Sequence, residues 1–206
     1  MKKYTASEVL RALGKKKYKT FIRGHYNLNI VGIRSTNSES DKFDDAICVV
    51  FQDEEGKWRI RQYDATTDPG KHWLLNPLNI NGTLIMKPGQ YRGAYKIGVQ
   101  GRTGRYPYKA LEQSKPMEYV RDNNKNSILD FSLFNEAKNI IEGIFKSNLH
   151  RASKWKISLN IGKYSAGCQV IQAHKDFDEF MSLCDLQVKH GHGNSFTYTL
   201  LEEKDL

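Results

Sequence analysis

At 206 residues, 39% of them apolar, the chain is long enough to bury about 70% of its unfolded surface and falls in the size range of one domain. Three unevenly spaced cysteines, Cys48, Cys168 and Cys184, exclude a disulfide scaffold or a zinc ribbon and leave free thiols as the expectation. No run approaches the ~18 apolar residues that span a bilayer, and MKKYTASEVLRALGKKK lacks the apolar core of a signal peptide, so a soluble chain made in the cytoplasm is expected.

The formal charge of +9 is concentrated at one end, where eight Lys and Arg residues between Lys2 and Arg23 stand against Glu8 alone. Such a segment suits an anionic polymer, a nucleic acid or an anionic surface, or is a solvated face that keeps the protein in solution. Tyr4, Tyr18 and Phe21 interleave with these charges, but no nucleic-acid motif occurs elsewhere, which ranks nucleic acid last. Residues 1–24 are therefore read as a basic extension and 25–206 as the main domain.

Thr5-Ala-Ser-Glu8 has capping-box spacing and precedes Val9, Leu10 and Leu13, which predicts a helix over 6–13 ended by Gly14. YNLNIVGIR (26–34) has the pattern of a strand with one buried face, and STNSESDKFDD after it that of a surface loop. AICVVFQ (46–52) and WRIRQY (58–63) predict a hairpin with Gly56 at the positive-φ position.

Residues 64–93 are dense in Gly, Pro and Asn, with short apolar runs at 82–86 and 91–99. RDNNK (121–125) reads as an exposed loop, and 132–141 as either a short helix or an irregular connection. Residues 143–150 read as a strand that ends at His150. Asp176-Phe-Asp-Glu179 repeats the capping spacing before Phe177, Phe180, Met181, Leu183 and Cys184, which predicts a helix over 176–185, and 195–201 predicts a closing strand. The sum is a mainly β fold with a few short helices.

The chemistry centres on HRASKWKISLNIGKYSAGC, where His150 is followed by fourteen residues and then by Ser165-Ala166-Gly167-Cys168. A thiol attacks as thiolate, so it needs an imidazole to take its proton and amide N–H groups to receive an oxyanion. His150, Cys168 and the amides of Gly167 and Cys168 offer all three. Ser165 either positions His150 or makes the turn. Cys48 and Cys184 read as buried fillers, and His190-Gly-His192 as a solvated turn and not a metal site.

This pattern resembles the L,D-transpeptidase catalytic domain, the YkuD-like family, whose motif is a histidine, about 14 to 17 residues, then Ser/Thr-His-Gly-Cys. His150, Ser165, Gly167 and Cys168 match it, whereas Ala166 stands where the motif has His, and Val170 where an arginine commonly follows. The phrases GIRS, ATTDPG, PGQYRGAYKIG, NLHRA and YSAGCQVI make the chain similar to shorter members of phages and prophages.

The resemblance implies a β-rich sandwich or barrel over residues 25–206 and cysteine-dependent acyl transfer on peptidoglycan stem peptides. It implies no cofactor or metal, catalytic roles for Cys168, His150, Ser165 and Gly167, and substrate contacts from Tyr91, Arg92 and Arg151. An anionic wall polymer becomes a second expected partner, and the site of action becomes the cell wall after release, or the virion. The alternative is a catalytically silent virion-structural or wall-binding module of the same fold.

Overall fold

A computed structural model describes residues 2–102, 104 and 106–206. Its strands in chain order are β1 (Asn29–Arg34), β2 (Asp45–Gln52), β3 (Trp58–Thr66), β4 (Thr83–Met86), β5 (Gly89–Gln100), β6 (Tyr108–Gln113), β7 (Met117–Asp122), β8 (Ile141–Gly143), β9 (Leu149–Arg151), β10 (Gln169–Ile171) and β11 (Phe196–Glu202). The helices are α1 (Ala6–Lys15), α2 (Lys71–Leu75) and α3 (His174–Lys189).

Eight strands close a barrel in the order β1-β11-β5-β6-β9-β10-β3-β2, and β4-β7-β8 form a separate three-stranded sheet. The fold is mainly β, as the sequence predicts. Pairs are antiparallel except β1 with β11 and β9 with β10.

Strand alternation explains the core. Ile47, Val49 and Phe51 of β2 join Tyr63, Tyr95, Leu111 and Tyr198 in the main apolar cluster, while Ala46, Cys48 and Val50 point the other way. That second side is covered by α1, whose Val9, Ala12 and Leu13 are buried against Val31, Ile33 and Leu201. Hence β1 is buried at all six residues and not on one face as its alternation suggested. The N-terminal segment thus seats its helix on the barrel wall while its lysines stay exposed.

The Thr5–Glu8 capping box forms, with the Glu8 amide on Thr5 Oγ1 at 3.2 Å and the Thr5 amide on Glu8 Oε2 at 2.7 Å. Gly14 does not end the helix. Lys17 takes the left-handed conformation (φ 58°), with Tyr18 N–H on Leu13 C=O and Lys17 N–H on Gly14 C=O, so the stop lies three residues later.

The β2–β3 hairpin forms with Gly56 at φ 74°, and β11 closes the barrel. Other expectations are corrected. Residues 121–125 are not one loop, because Arg121 and Asp122 pair within β7. Residues 143–150 break into β8 and β9, and 132–141 is irregular, with two 3-10 turns. The helix predicted over 176–185 runs from His174 to Lys189, and no side chain caps it, so Asp176 lies within its first turn. Strands β6 and β7 and helix α2 had no prediction.

One buried ion pair ties the barrel to the second sheet. Arg34, 1% exposed, places Nε 3.1 Å from Asp68 Oδ2 and Nη2 2.8 Å from Oδ1, and donates from Nη1 to the Met86 carbonyl of β4 at 2.9 Å. Its guanidinium lies over the Phe131 ring at 5.2 Å. Asp45 beside it accepts from the amides of Ser35 and Thr67, both at 2.7 Å, and burial, with Asp68 close by, pushes it up to about 7. Removing one partner would leave an uncompensated buried charge, so Asp68→Ala is expected to cost about 3–5 kcal/mol in urea denaturation. A loss under about 0.5 kcal/mol, the range of surface substitutions, would show that Arg34 does not depend on it.

Candidate active site

The spacing of the His/Cys motif has a structural cause. Strands β9 and β10 run parallel with His150 opposite Val170, and parallel neighbours need a crossover of a dozen or more residues. Residues 152–168 are that crossover, here an irregular loop without a helix. Asp41 holds it by accepting from Gly162 N–H at 2.6 Å and Asn160 Nδ2 at 3.2 Å, and Trp73 Nε1 donates to the Lys163 carbonyl at 3.2 Å.

The turn before β10 is built by Ser165 and Gly167. Ser165 Oγ donates to the Cys168 carbonyl at 2.8 Å and accepts from Gly167 N–H at 3.2 Å, so it shapes the turn, and among the described residues no hydrogen bond joins it to His150. Gly167 stands at φ 118°, and a Cβ there would lie 2.8 Å from Leu84 Cβ and 2.9 Å from its carbonyl oxygen. Only glycine meets both demands. Ser147 Oγ donates to the Gly167 carbonyl at 2.5 Å and completes the clamp.

The register places Cys168 two residues ahead of the partner of His150, on the same side of the sheet and displaced by about 7 Å along the strands. No hydrogen bond joins the two side chains among the described residues. Instead Cys168 Sγ faces the Lys146 carbonyl at 3.7 Å. The thiol is partly exposed yet ringed by protein, and this desolvation pushes it up to about 11, with the Asn148 amide working the other way.

His150 is 6% exposed, and burial lowers its pKa, which keeps the imidazole neutral. Its Nδ1 lies 2.8 Å from the Arg151 carbonyl, which can only accept, so Nδ1 carries the proton and Nε2 keeps its lone pair. Tyr108 Oη sits 3.5 Å from the same nitrogen. Val170, where the motif has arginine, is fully buried opposite His150.

Cys168 opens into a cleft of about 420 Å³ where the second sheet meets the barrel turn. Its walls are Leu78–Asn79, 82–84, Arg121, 145–147 and Ala166–Gly167. The Gly167 amide is occupied by Ser165, and no hydrogen bond from the Cys168 N–H occurs among the described residues. Beneath the turn, the buried hydroxyls of Tyr95 and Tyr119 lack a hydrogen-bond partner of good geometry, although both lie near Ser147.

Neither His150 nor Ser165 is among the residues that line this cleft, and the structure does not bring Tyr91, Arg92 or Arg151 to it. Tyr91 is buried and gives its hydroxyl to the Lys87 carbonyl at 2.5 Å, and Arg92 is exposed on β5. Arg151 stacks over the Tyr108 ring at 3.7 Å and lines a different depression beside α3. Arg121 and Lys146 were missed. The alternation of MEYVRD marks Arg121 as a strand residue once 117–122 are taken with period two. Cys48 and Cys184 are buried fillers, as predicted.

Among the described residues no group of three or more His, Cys, Asp or Glu is arranged to hold a metal, and no helix is long and apolar enough to cross a membrane. The chain matches no family model, no curated protein and no solved structure.

Because its folded pKa lies above that of a free thiol, Cys168 is a thiolate in only about a thousandth of molecules at pH 8. Iodoacetamide labelling, followed by peptide mass, should therefore rise about tenfold per pH unit from 8 to 10. A plateau below pH 8 would show an activated thiolate instead. Gly167→Ala should cost more than about 1 kcal/mol in thermal or urea unfolding, and an unchanged midpoint would mean that Leu84 gives way.

Proposed function

We propose that the chain is a cysteine acyl-transfer enzyme that acts on peptidoglycan stem peptides, as an L,D-carboxypeptidase or endopeptidase or as an L,D-transpeptidase. The observation that carries the acyl-transfer half is a thiol that lines an open cleft, two register positions from a histidine whose Nδ1 is bonded to a carbonyl and whose Nε2 has no hydrogen bond among the described residues. The peptidoglycan half rests on the likeness of the motif and phrases to the YkuD-like family.

In this reading Sγ turns from the Lys146 carbonyl and passes its proton to His150 Nε2. The sulfur lone pair forms a C–S bond at the peptide carbonyl, and the Cys168 N–H faces the oxyanion. Collapse breaks the C–N bond, and the departing amine takes the proton from His150. Water or a second amine then attacks the thioester, with His150 again moving the proton. The high pKa of Cys168 makes this a general-base mechanism and not a resting thiolate–imidazolium pair. Action at the cell wall after release, or in a virion, suits this substrate, and the exposed lysines of residues 2–23 suit an anionic wall polymer.

A second reading, a catalytically silent virion-structural or wall-binding module, is favoured by one observation: Sγ has no hydrogen bond to His150. Incubation with purified muropeptides separates the two. The enzyme reading expects a thioester adduct on Cys168 or a product mass change, absent in Cys168→Ala and slowed about 10²–10⁴-fold in His150→Ala. Folded wild-type protein that yields neither would leave only the silent module.

A further inference from the structure

The cleft at Cys168 carries charge of one sign. Its described lining residues include two cations, Arg121 and Lys146, and no carboxylate. Lys146 is exposed at the mouth, but Arg121 is half-buried on β7, where its ordinary partner would be an Asp or Glu. Instead Arg121 Nη1 donates to the Gly82 carbonyl at 2.9 Å and the guanidinium lies 5.5 Å over the Phe145 ring. These contacts fix the plane of the guanidinium while most of its five N–H donors stay open. No carboxylate among the described residues pairs with it.

Its place relative to the nucleophile follows from two contacts. Arg121 is directly opposite Leu84 in the β4–β7 ladder, so their side chains share one face. Leu84 is also the residue that touches Gly167. Arg121 and the Cys168 turn therefore flank a single residue, and a group held by the guanidinium lies within a residue or two of a carbonyl at Sγ. Burial disfavours the charged form of Arg121, so an incoming anion recovers a cost the free protein bears. Leu78, Leu84 and Phe145 add apolar wall beside the polar Asn79, Thr83 and Ser147, a mixture that suits a peptide better than a polyanion.

We propose that Arg121 is the specificity residue of this cleft, receiving a free carboxylate of the peptide whose carbonyl lies at Cys168. The proposal deepens the acyl-transfer reading and takes from it only the peptide nature of the ligand. Charge-assisted hydrogen bonds of this kind correspond to about tenfold or more in affinity.

The test uses the full chain as Cys168→Ala, with or without Arg121→Gln or Arg121→Lys, and three synthetic stem tetrapeptides of sequence L-Ala-γ-D-Glu-L-Lys-D-Ala. One is the free acid, one the C-terminal carboxamide, and one carries the Glu α-carboxamide. Calorimetry should show about a tenfold or larger loss on amidating one of the two carboxylates. That difference should vanish in Arg121→Gln and persist in part in Arg121→Lys, with both variants melting as cooperatively as the parent. Equal binding of all three peptides, a preference that survives Arg121→Gln, or no binding at all overturns the proposal. Failure of the acyl-transfer reading is distinct: carboxylate preference with neither a thioester nor a product mass change on the wild-type chain removes the enzyme and leaves the subsite, and either of these without preference does the reverse.

Discussion

The parallel pairing of β9 with β10 is the constraint from which the site follows. Parallel strands cannot be joined by a tight turn, so the chain leaves β9 after Arg151, runs through a long crossover and returns to β10 at Gln169. The histidine belongs to the first strand and the cysteine to the turn that enters the second. Their distance in sequence is the length of a crossover, and their nearness in space is the register of a ladder. Asp41, reaching in from the loop after β1, satisfies the crossover's amides where no helix does so.

The same barrel that positions the pair also sets its electrostatics. His150 and Cys168 lie where water is largely displaced, and in such a place each side chain holds its neutral form: the imidazole loses affinity for a proton and the thiol gains it. Desolvation alone would make an inert site. It becomes a reactive one only if the thiol can pass its proton to the imidazole. The Arg151 carbonyl fixes the tautomer that leaves Nε2 with its lone pair.

Much of this was legible in the sequence, for identifiable reasons. The β2–β3 hairpin, the capping box of α1 and the closing strand β11 were readable because period-two alternation, Thr-x-x-Glu spacing and Gly56 are local signals. The placing of His150 and Cys168 at the ends of one crossover was not readable, because the parallel pairing of β9 with β10 is not a local signal. What failed was non-local. β1 alternates as a half-exposed strand, but α1 covers its second face, a fact held more than fifteen residues away. Arg121 read as loop because RDNNK is polar, yet its place is decided by pairing with Leu84. Arg34 drew no reading of its own beyond the end of a strand, because its burial depends on Asp68 and the Met86 carbonyl, both far along the chain.

That buried arginine bears on the cleft through covalent continuity. Arg34 ends the barrel strand β1 and grips the carbonyl of Met86, the last residue of β4. Two residues earlier in β4, Leu84 meets Gly167 and faces Arg121. The second sheet is therefore pinned to the barrel at one end of β4 and forms the cleft wall at the other. The pin and the cleft wall thus lie two residues apart on one strand, and Leu84 meets a glycine that has no room for a Cβ. The charge that Arg34 brings is held by Asp68, and Asp45 anchors both Ser35 beside it and Thr67. A buried ion pair is poor evidence for net stability; its best-attested use is registry, and here the paired Arg34 joins the barrel to one carbonyl of the small sheet.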